Sequence, residues 1–144
     1  MGTVENLELV ERLTKAKETQ DFETYAAGLA EHAVFMMAGV PEDLGGVLRG
    51  RDAIIDEFRR TRGLSHWKTS DMFGDDNHVC VVGKTTVERM VGTDAIEELE
   101  RGYVTHECVV YWIEDGLVVK FIAYINWLAA YIQSGKIDIS AILR

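Results

Sequence analysis

"VVYWIEDGLVVKF", residues 109–121, decides how this chain folds. Two runs of β-branched and aromatic residues flank Asp115-Gly116, a pair that accepts the positive backbone angles of a tight hairpin turn. A two-residue turn sets Trp112 opposite Val119, Val110 opposite Phe121, Cys108 opposite Ala123 and His106 opposite Ile125. Partners across a hairpin point to the same face, and side chains alternate along each strand. One face then carries Val104, His106, Cys108, Val110 and Trp112 with Val119, Phe121, Ala123 and Ile125. It is nearly all apolar and is expected to turn inward. The other carries Thr105, Glu107, Val109 and Tyr111 with Lys120, Ile122, Tyr124 and Asn126, a mixed set that suits an outer surface. A shift of one residue would exchange the two faces.

After the hairpin, "NWLAAYIQSG" (126–135) turns helical. Asn before a helical run and Gly just after it are what helix capping requires, so Asn126 is read as an N-cap and not as a catalytic amide. Before it, Val4, Leu7, Val10, Leu13 and Lys17 recur at helical spacing over 3–19, with Thr3 as the N-cap candidate. "DFETYAAGLA" (21–30) opens on an Asp cap and sets Phe22, Tyr25, Ala26 and Leu29 on one side. "AVFMMA" (33–38) reads as a short strand, "GVPEDLGGVLRG" (39–50) as a loop, and "RDAIIDEFRR" (51–60) as a helix that Asp52 is placed to cap. Strands follow near 66–73, 77–90, 102–113 and 117–126. The connection "DAIEELERG" (94–102) reads as an acidic surface turn. Helices first and an antiparallel sheet after them predict an α+β layer fold, with residues 1–144 as a single domain.

Composition narrows the function. A net charge of −9 disfavours a nucleic-acid partner, since phosphate binding relies on clustered Lys and Arg. "RRTR" (59–62) most simply completes a helix C-terminus, where cations suit the dipole. No apolar run approaches membrane-spanning length, and "MGTVENLELVER" is too charged for a secretory signal, so a soluble cytoplasmic protein with no membrane partner is expected. Cys80 and Cys108 form neither a CxxC pair nor a disulfide framework.

"GRDAIIDEF" after its loop, the hairpin "VVYWIEDGLVVKF" and the ending "NWLAAYIQSG" together resemble the nuclear transport factor 2-like superfamily. That group includes SnoaL-like polyketide cyclases and ketosteroid isomerase-like proteins. The resemblance implies N-terminal helices packed in the concave face of a strongly curved, mainly antiparallel sheet. Such a fold is a cone-shaped α+β barrel with a hydrophobic pocket, and the resemblance also implies a homodimer, here through the outer sheet face. It implies no one reaction, because the fold hosts isomerases, dehydratases, cyclases, epoxide hydrolases and non-enzymes. The epoxide-hydrolase machinery corresponds here to Phe35, Met37, Lys84, Thr86 and Ala123, an apolar replacement of most of it. The first-strand aspartate of ketosteroid isomerases likewise corresponds to Met37.

With the apolar hairpin face inward, His106 is its one ionisable group and a candidate general acid or base. Pairing of 77–90 with 102–113 sets Lys84 or Thr85 opposite it, and Lys84 is the candidate polarising partner. Strand 77–90 has two defensible inward faces. Periodicity favours Val79, Val81, Gly83, Thr85 and Val87; the epoxide-hydrolase resemblance favours Cys80, Val82, Lys84, Thr86 and Glu88. Tyr25, Phe35, Met37, Cys108, Trp112, Phe121 and Ile125 are the expected ligand-binding lining. "HVC" (78–80) and "HEC" (106–108) suggest a zinc site at first sight, but antiparallel register separates their histidines by about 20 Å, so no metal is expected. No cofactor is expected either.

Two readings follow. In one, the chain is a cofactor-free isomerase, cyclase or lyase that acts on an apolar cyclic or polyketide-like small molecule through His106 and Lys84. In the other, it is a non-catalytic dimeric module that binds a ligand or a protein, with His106 a satisfied core residue.

Overall fold

The computed structural model describes residues 2–62, 65–88, 102–141 and 143. The acidic connection at 94–102 lies outside the described residues except for Gly102. The architecture is α+β. Helices α1 (Thr3–Thr19), α2 (Phe22–Ala27) and α3 (Arg51–Arg60) precede most of the strands, and α4 (Trp127–Gln133) follows them. Strands β1 (Leu29–Met37), β2 (Val47–Arg49), β3 (Ser65–Gly74), β4 (His78–Val87), β5 (Tyr103–Glu114) and β6 (Leu117–Tyr124) form one open sheet in the order β2-β1-β6-β5-β4-β3. Every pairing is antiparallel except β1 with β6, which makes the sheet mixed. The sheet is not closed, and β2 and β3 form its two edges.

Helix α1 packs on β3 and β4, and α3 packs on β1, so the first three helices cover one face of the sheet. Val10, Leu13, Ile54, Val79, Val81 and Val118 are wholly buried between them. Burial of this kind yields roughly 25 cal/mol per Å² of apolar surface and is the main force that holds the layers together. Gly83 is part of the same packing. A Cβ there would collide with the Trp67 ring, so the glycine is what lets Trp67 lie flat across β4.

The caps correct some local expectations. Helix α1 has Gly2 at its N-cap, and Asp76 of the β3–β4 turn satisfies its first turn, accepting from Thr3 N (2.9 Å) and Thr3 Oγ1 (2.6 Å). Gly50, not Asp52, caps α3. Asp21 and Asn126 do act as caps, accepting from Thr24 N and Ala129 N respectively. Helix α2 ends at Ala27, earlier than its apolar spacing suggests, because Leu29 pairs with Val118 and Val118 N donates to Gly28 O. The segment read as a loop holds β2, whose three residues pair with Val34–Met36 of β1. Gln133 completes the far end of β5. Its side-chain amide donates to Val104 O and accepts from Val104 N, both at 2.8 Å, and serves the backbone beyond the last β6 partner.

The hairpin corrects the largest expectation. The Asp115-Gly116 turn is present, with both residues at positive φ, and Glu114 pairs with Leu117 and Ile113 with Val118. The next pair is Trp112 with Lys120, which leaves Val119 as an extra residue in β6. A bulge of this kind shifts all later pairs by one and so rotates one strand's faces against the other's. Phe121 and Ala123 point inward as expected, but they face Tyr111 and Val109 instead of Val110 and Cys108. The inner face of β5 is therefore Tyr103, Thr105, Glu107, Val109, Tyr111 and Ile113. On β4 the inner face is Val79, Val81, Gly83, Thr85 and Val87, the one periodicity favours.

Candidate active site

Between α1, α3 and the inner sheet face lies a cavity of about 230 Å³. Its apolar wall is an aromatic cluster. Phe35 stacks on Phe121 (4.7 Å between centroids), Phe121 on Tyr111 (5.4 Å), and Phe58 meets Tyr25 edge-on (5.3 Å). Met37, Trp67, Val109 and Ile125 extend that wall.

Of the residues read as the site from the sequence, Tyr25, Phe35, Met37, Phe121 and Ile125 line this cavity. His106, Lys84, Cys108 and Trp112 do not. Of the two partners the sequence left open for His106, the structure selects Lys84, but both residues are exposed on the outer face. Trp112 pairs there with Lys120, whose Nζ lies 4.6 Å from the indole, and the His78 ring meets Trp112 edge-on. Cys80 and Cys108 are free, with their Sγ atoms 3.1 Å apart on that outer face. The Val119 bulge is the physical cause of all these displacements on β5.

The inner face brings a different set of polar groups together. Glu107 is buried at 9% exposure and aims into the cavity. Thr85 Oγ1 donates to its Oε2 at 2.9 Å, and Thr105 Oγ1 donates to its Oε1 at 2.7 Å. The register makes this cradle, since Thr85 stands opposite Thr105 and Gly83 opposite Glu107. Burial pushes the Glu107 carboxyl above the ordinary Glu range, against the two hydroxyls and the charge of Lys17, which favour the ionised form.

Lys17 enters from α1. It lies four residues after Leu13 and seven after Val10, on the buried stripe of the helix. Its Nζ sits 3.4 Å from the centre of the Phe58 ring. Loss of water pushes the amine down to about 8, although the charges of Glu107 and Glu57 both favour the ammonium. Glu57 is already engaged by Arg60 through two bonds, at 2.7 and 2.9 Å.

Tyr25 and Tyr111 meet hydroxyl to hydroxyl at 3.2 Å on the buried wall. Burial is the leading cause that raises both phenols, Tyr111 to about 12, so both stay protonated at neutral pH. Two hydroxyls share one bond, so one O–H proton of the pair remains to donate to a third oxygen. The cavity thus holds a buried carboxyl whose pKa is raised, an amine with weakened basicity, and a neutral hydroxyl donor.

Among the described residues no group of three or more His, Cys, Asp or Glu side chains could hold a metal ion, and no helix is long and apolar enough to cross a membrane.

Fold and cavity together define a nuclear transport factor 2-like α+β protein with an internal apolar chamber. The pattern of the SnoaL-like domain matches residues 10–121, and the chain belongs to that family. Solved structures agree in fold. A candidate SnoaL-like polyketide cyclase from Jannaschia sp. CCS1 superposes with a TM-score of 0.77 at 13% identity, over 94% of this chain and 95% of that one. The LEH-like epoxide hydrolase of M. tuberculosis gives 0.72 at 19% identity, over 98% and 97%. A candidate ketosteroid isomerase from Kribbella flavida DSM 17836 gives 0.67 at 16% identity, over 85% and 78%. No curated protein matches the chain in sequence.

Proposed function

We propose that this protein is an acid/base enzyme of the isomerase, cyclase or lyase kind, acting on an apolar cyclic molecule of one or two rings. Glu107 is the proton acceptor and donor, Lys17 offsets charge that develops beside it, and the Tyr25–Tyr111 pair donates to a substrate oxygen. The observation that carries this reading is the Glu107 carboxyl, cradled by Thr85 and Thr105 inside a mostly apolar chamber. Burial raises the pKa of this carboxyl, the kind of perturbation that sets catalytic acids and bases apart from ordinary carboxylates. The size of the cavity limits the substrate, since about 230 Å³ is below the roughly 300–1,000 Å³ of drug-sized sites. The family membership and the cyclase- and isomerase-like neighbours support the reaction class.

The test begins with thermal unfolding against a panel of cyclic ketones, epoxides, small sterol fragments and aromatic polyketide fragments. Any compound that stabilises the protein is then assayed for turnover with the parent, Glu107→Gln and His106→Gln. Loss confined to Glu107→Gln supports the reading. Binding without turnover favours a ligand-binding module, and equal activity in all three removes Glu107 from the mechanism.

We also propose a homodimer through the outer sheet face. Val104 and Tyr124 are 42% and 49% exposed there, beside half-buried Val110, Trp112 and Ile122, an apolar area suited to a partner. Sedimentation of Tyr124→Asp against the parent tests it. A monomeric variant supports the interface, and a parent that is itself monomeric contradicts it.

A further inference from the structure

We propose that Lys17 is a nucleophilic amine that forms an imine with an aldehyde or ketone bound in the chamber, which makes carbonyl compounds the ligand class of this site. The inference deepens the acid/base reading and uses its Glu107, but it stands on separate observations.

The first is placement. Lys17 projects from the buried stripe of α1 onto the Phe58 ring, at the cavity wall, where an apolar carbonyl compound would lie against the aromatic cluster. The second is its freedom. Among the described residues Lys17 makes no ion pair and no hydrogen bond; its Nζ lies over the Phe58 ring face. An amine locked in a salt bridge is unavailable as a nucleophile, and this one is not locked. The third is its surroundings. Glu107 on β5 and Glu57 on α3 are the ionisable groups that act on it, and Glu57 already holds Arg60. That leaves Glu107 as the cavity carboxyl able to trade protons during addition. Loss of water shifts the amine toward its neutral form near physiological pH, in keeping with this geometry.

The chemistry closes without an oxidant or reductant. The neutral amine attacks the carbonyl carbon, and the C–N bond forms as the C=O π pair moves onto oxygen. That oxygen takes a proton from the Glu107 carboxyl, while the new ammonium returns one to the carboxylate, giving a neutral carbinolamine. The Glu107 carboxyl, protonated again, gives that proton to the hydroxyl, which leaves as water as the nitrogen lone pair forms the C=N bond, and the Glu107 carboxylate remains beside the iminium. The product is a protonated imine plus one water. An iminium withdraws electrons from the adjacent carbon, so a base beside it can remove a proton there or break a carbon–carbon bond.

The experiment treats the whole protein with benzaldehyde or cyclohexanone plus sodium cyanoborohydride, which reduces the imine to a stable amine. Intact mass and peptide mapping then locate the adduct. The expected result is one addition at Lys17, at least about tenfold faster at pH 7.5 than at any exposed lysine, because far more of this amine is neutral. Lys17→Arg keeps the positive charge and should take no adduct at the site. Should that variant fold poorly, the map of the parent alone decides, since adducts on Lys15, Lys68 or Lys120 in place of Lys17 overturn the proposal. The two ideas fail separately. An adduct at Lys17 with full turnover in Glu107→Gln removes the acid/base assignment and keeps the imine. Turnover lost in Glu107→Gln, with no adduct at Lys17, removes the imine and keeps the base.

Discussion

Glu107 and His106 are neighbours on β5, yet they face opposite sides of the sheet and live in different solvents. Glu107 is buried, takes two hydroxyl bonds and has its carboxyl pushed upward by loss of water. His106 is exposed opposite Lys84. Imidazole is the more usual acid/base side chain near neutrality, but that advantage belongs to the residue type, and reactivity belongs to the place. The same contrast runs along the whole strand: its inner face is Tyr103, Thr105, Glu107, Val109 and Tyr111, and its outer face Val104, His106, Cys108, Val110 and Trp112.

Several changes would break or sharpen this contrast. Phe121→Ala removes the ring that stacks on both Phe35 and Tyr111, and should cost about 3–5 kcal/mol in urea unfolding. Next in size, Glu107→Gln should reduce turnover of any substrate found by at least about 100-fold, the usual contribution of a general acid/base group. His106→Gln should leave that rate within about twofold and stability within about 0.5 kcal/mol, as for surface changes generally. If the histidine variant is the one that loses activity, the inner and outer assignments are reversed. Asn126→Ala should cost about 1 kcal/mol of stability, because Ala129 N loses its capping acceptor.

The two ionisable cavity groups also make stability depend on pH, with opposite signs. Lys17 falls from 10.5 to about 8 on folding, so between those values the native state binds fewer protons than the unfolded one. Its contribution to stability therefore rises with pH across that window. Glu107 is raised, so the native state holds the extra proton, and its contribution falls as pH climbs from the ordinary Glu value through the folded one. Denaturant unfolding at several pH values, compared with Lys17→Met and Glu107→Gln, should show each slope vanish with its own residue.

Much of this was legible in the chain. The order of the four α-helices and the five longer strands, the Asp115-Gly116 turn and the Asp21 and Asn126 caps follow from local patterns that the fold respects. The inner face of β4 was legible by alternation alone. The inner face of β5 was not, because Val119 is an ordinary strand residue and nothing in its identity announces that β6 bulges there. Composition then favoured the wrong side. The outer face of β5 is more apolar than the inner one, which is typical of a sheet with a cavity on one side and an apolar outer surface on the other. Two signals did point to the site. A lysine on the apolar stripe of α1 lacks a solvent reason to be there, and the β4 face favoured by periodicity already carried Thr85 beside the position of Glu107. With the β4 face set by periodicity, the register that pairs Lys84 with His106 turns Glu107 inward, whereas the one that pairs Thr85 with His106 does not.

The account rests on Glu107 standing inside the chamber as a carboxyl hard to ionise. The most direct measurement is the pH titration of its side-chain carboxyl carbon by NMR, assigned by comparison with Glu107→Gln. The account predicts a midpoint above the 4.5 of an ordinary glutamate, and a second inflection at about 8 as Lys17 loses its proton nearby. A midpoint at or below 4.5, with no response to Lys17, would contradict it.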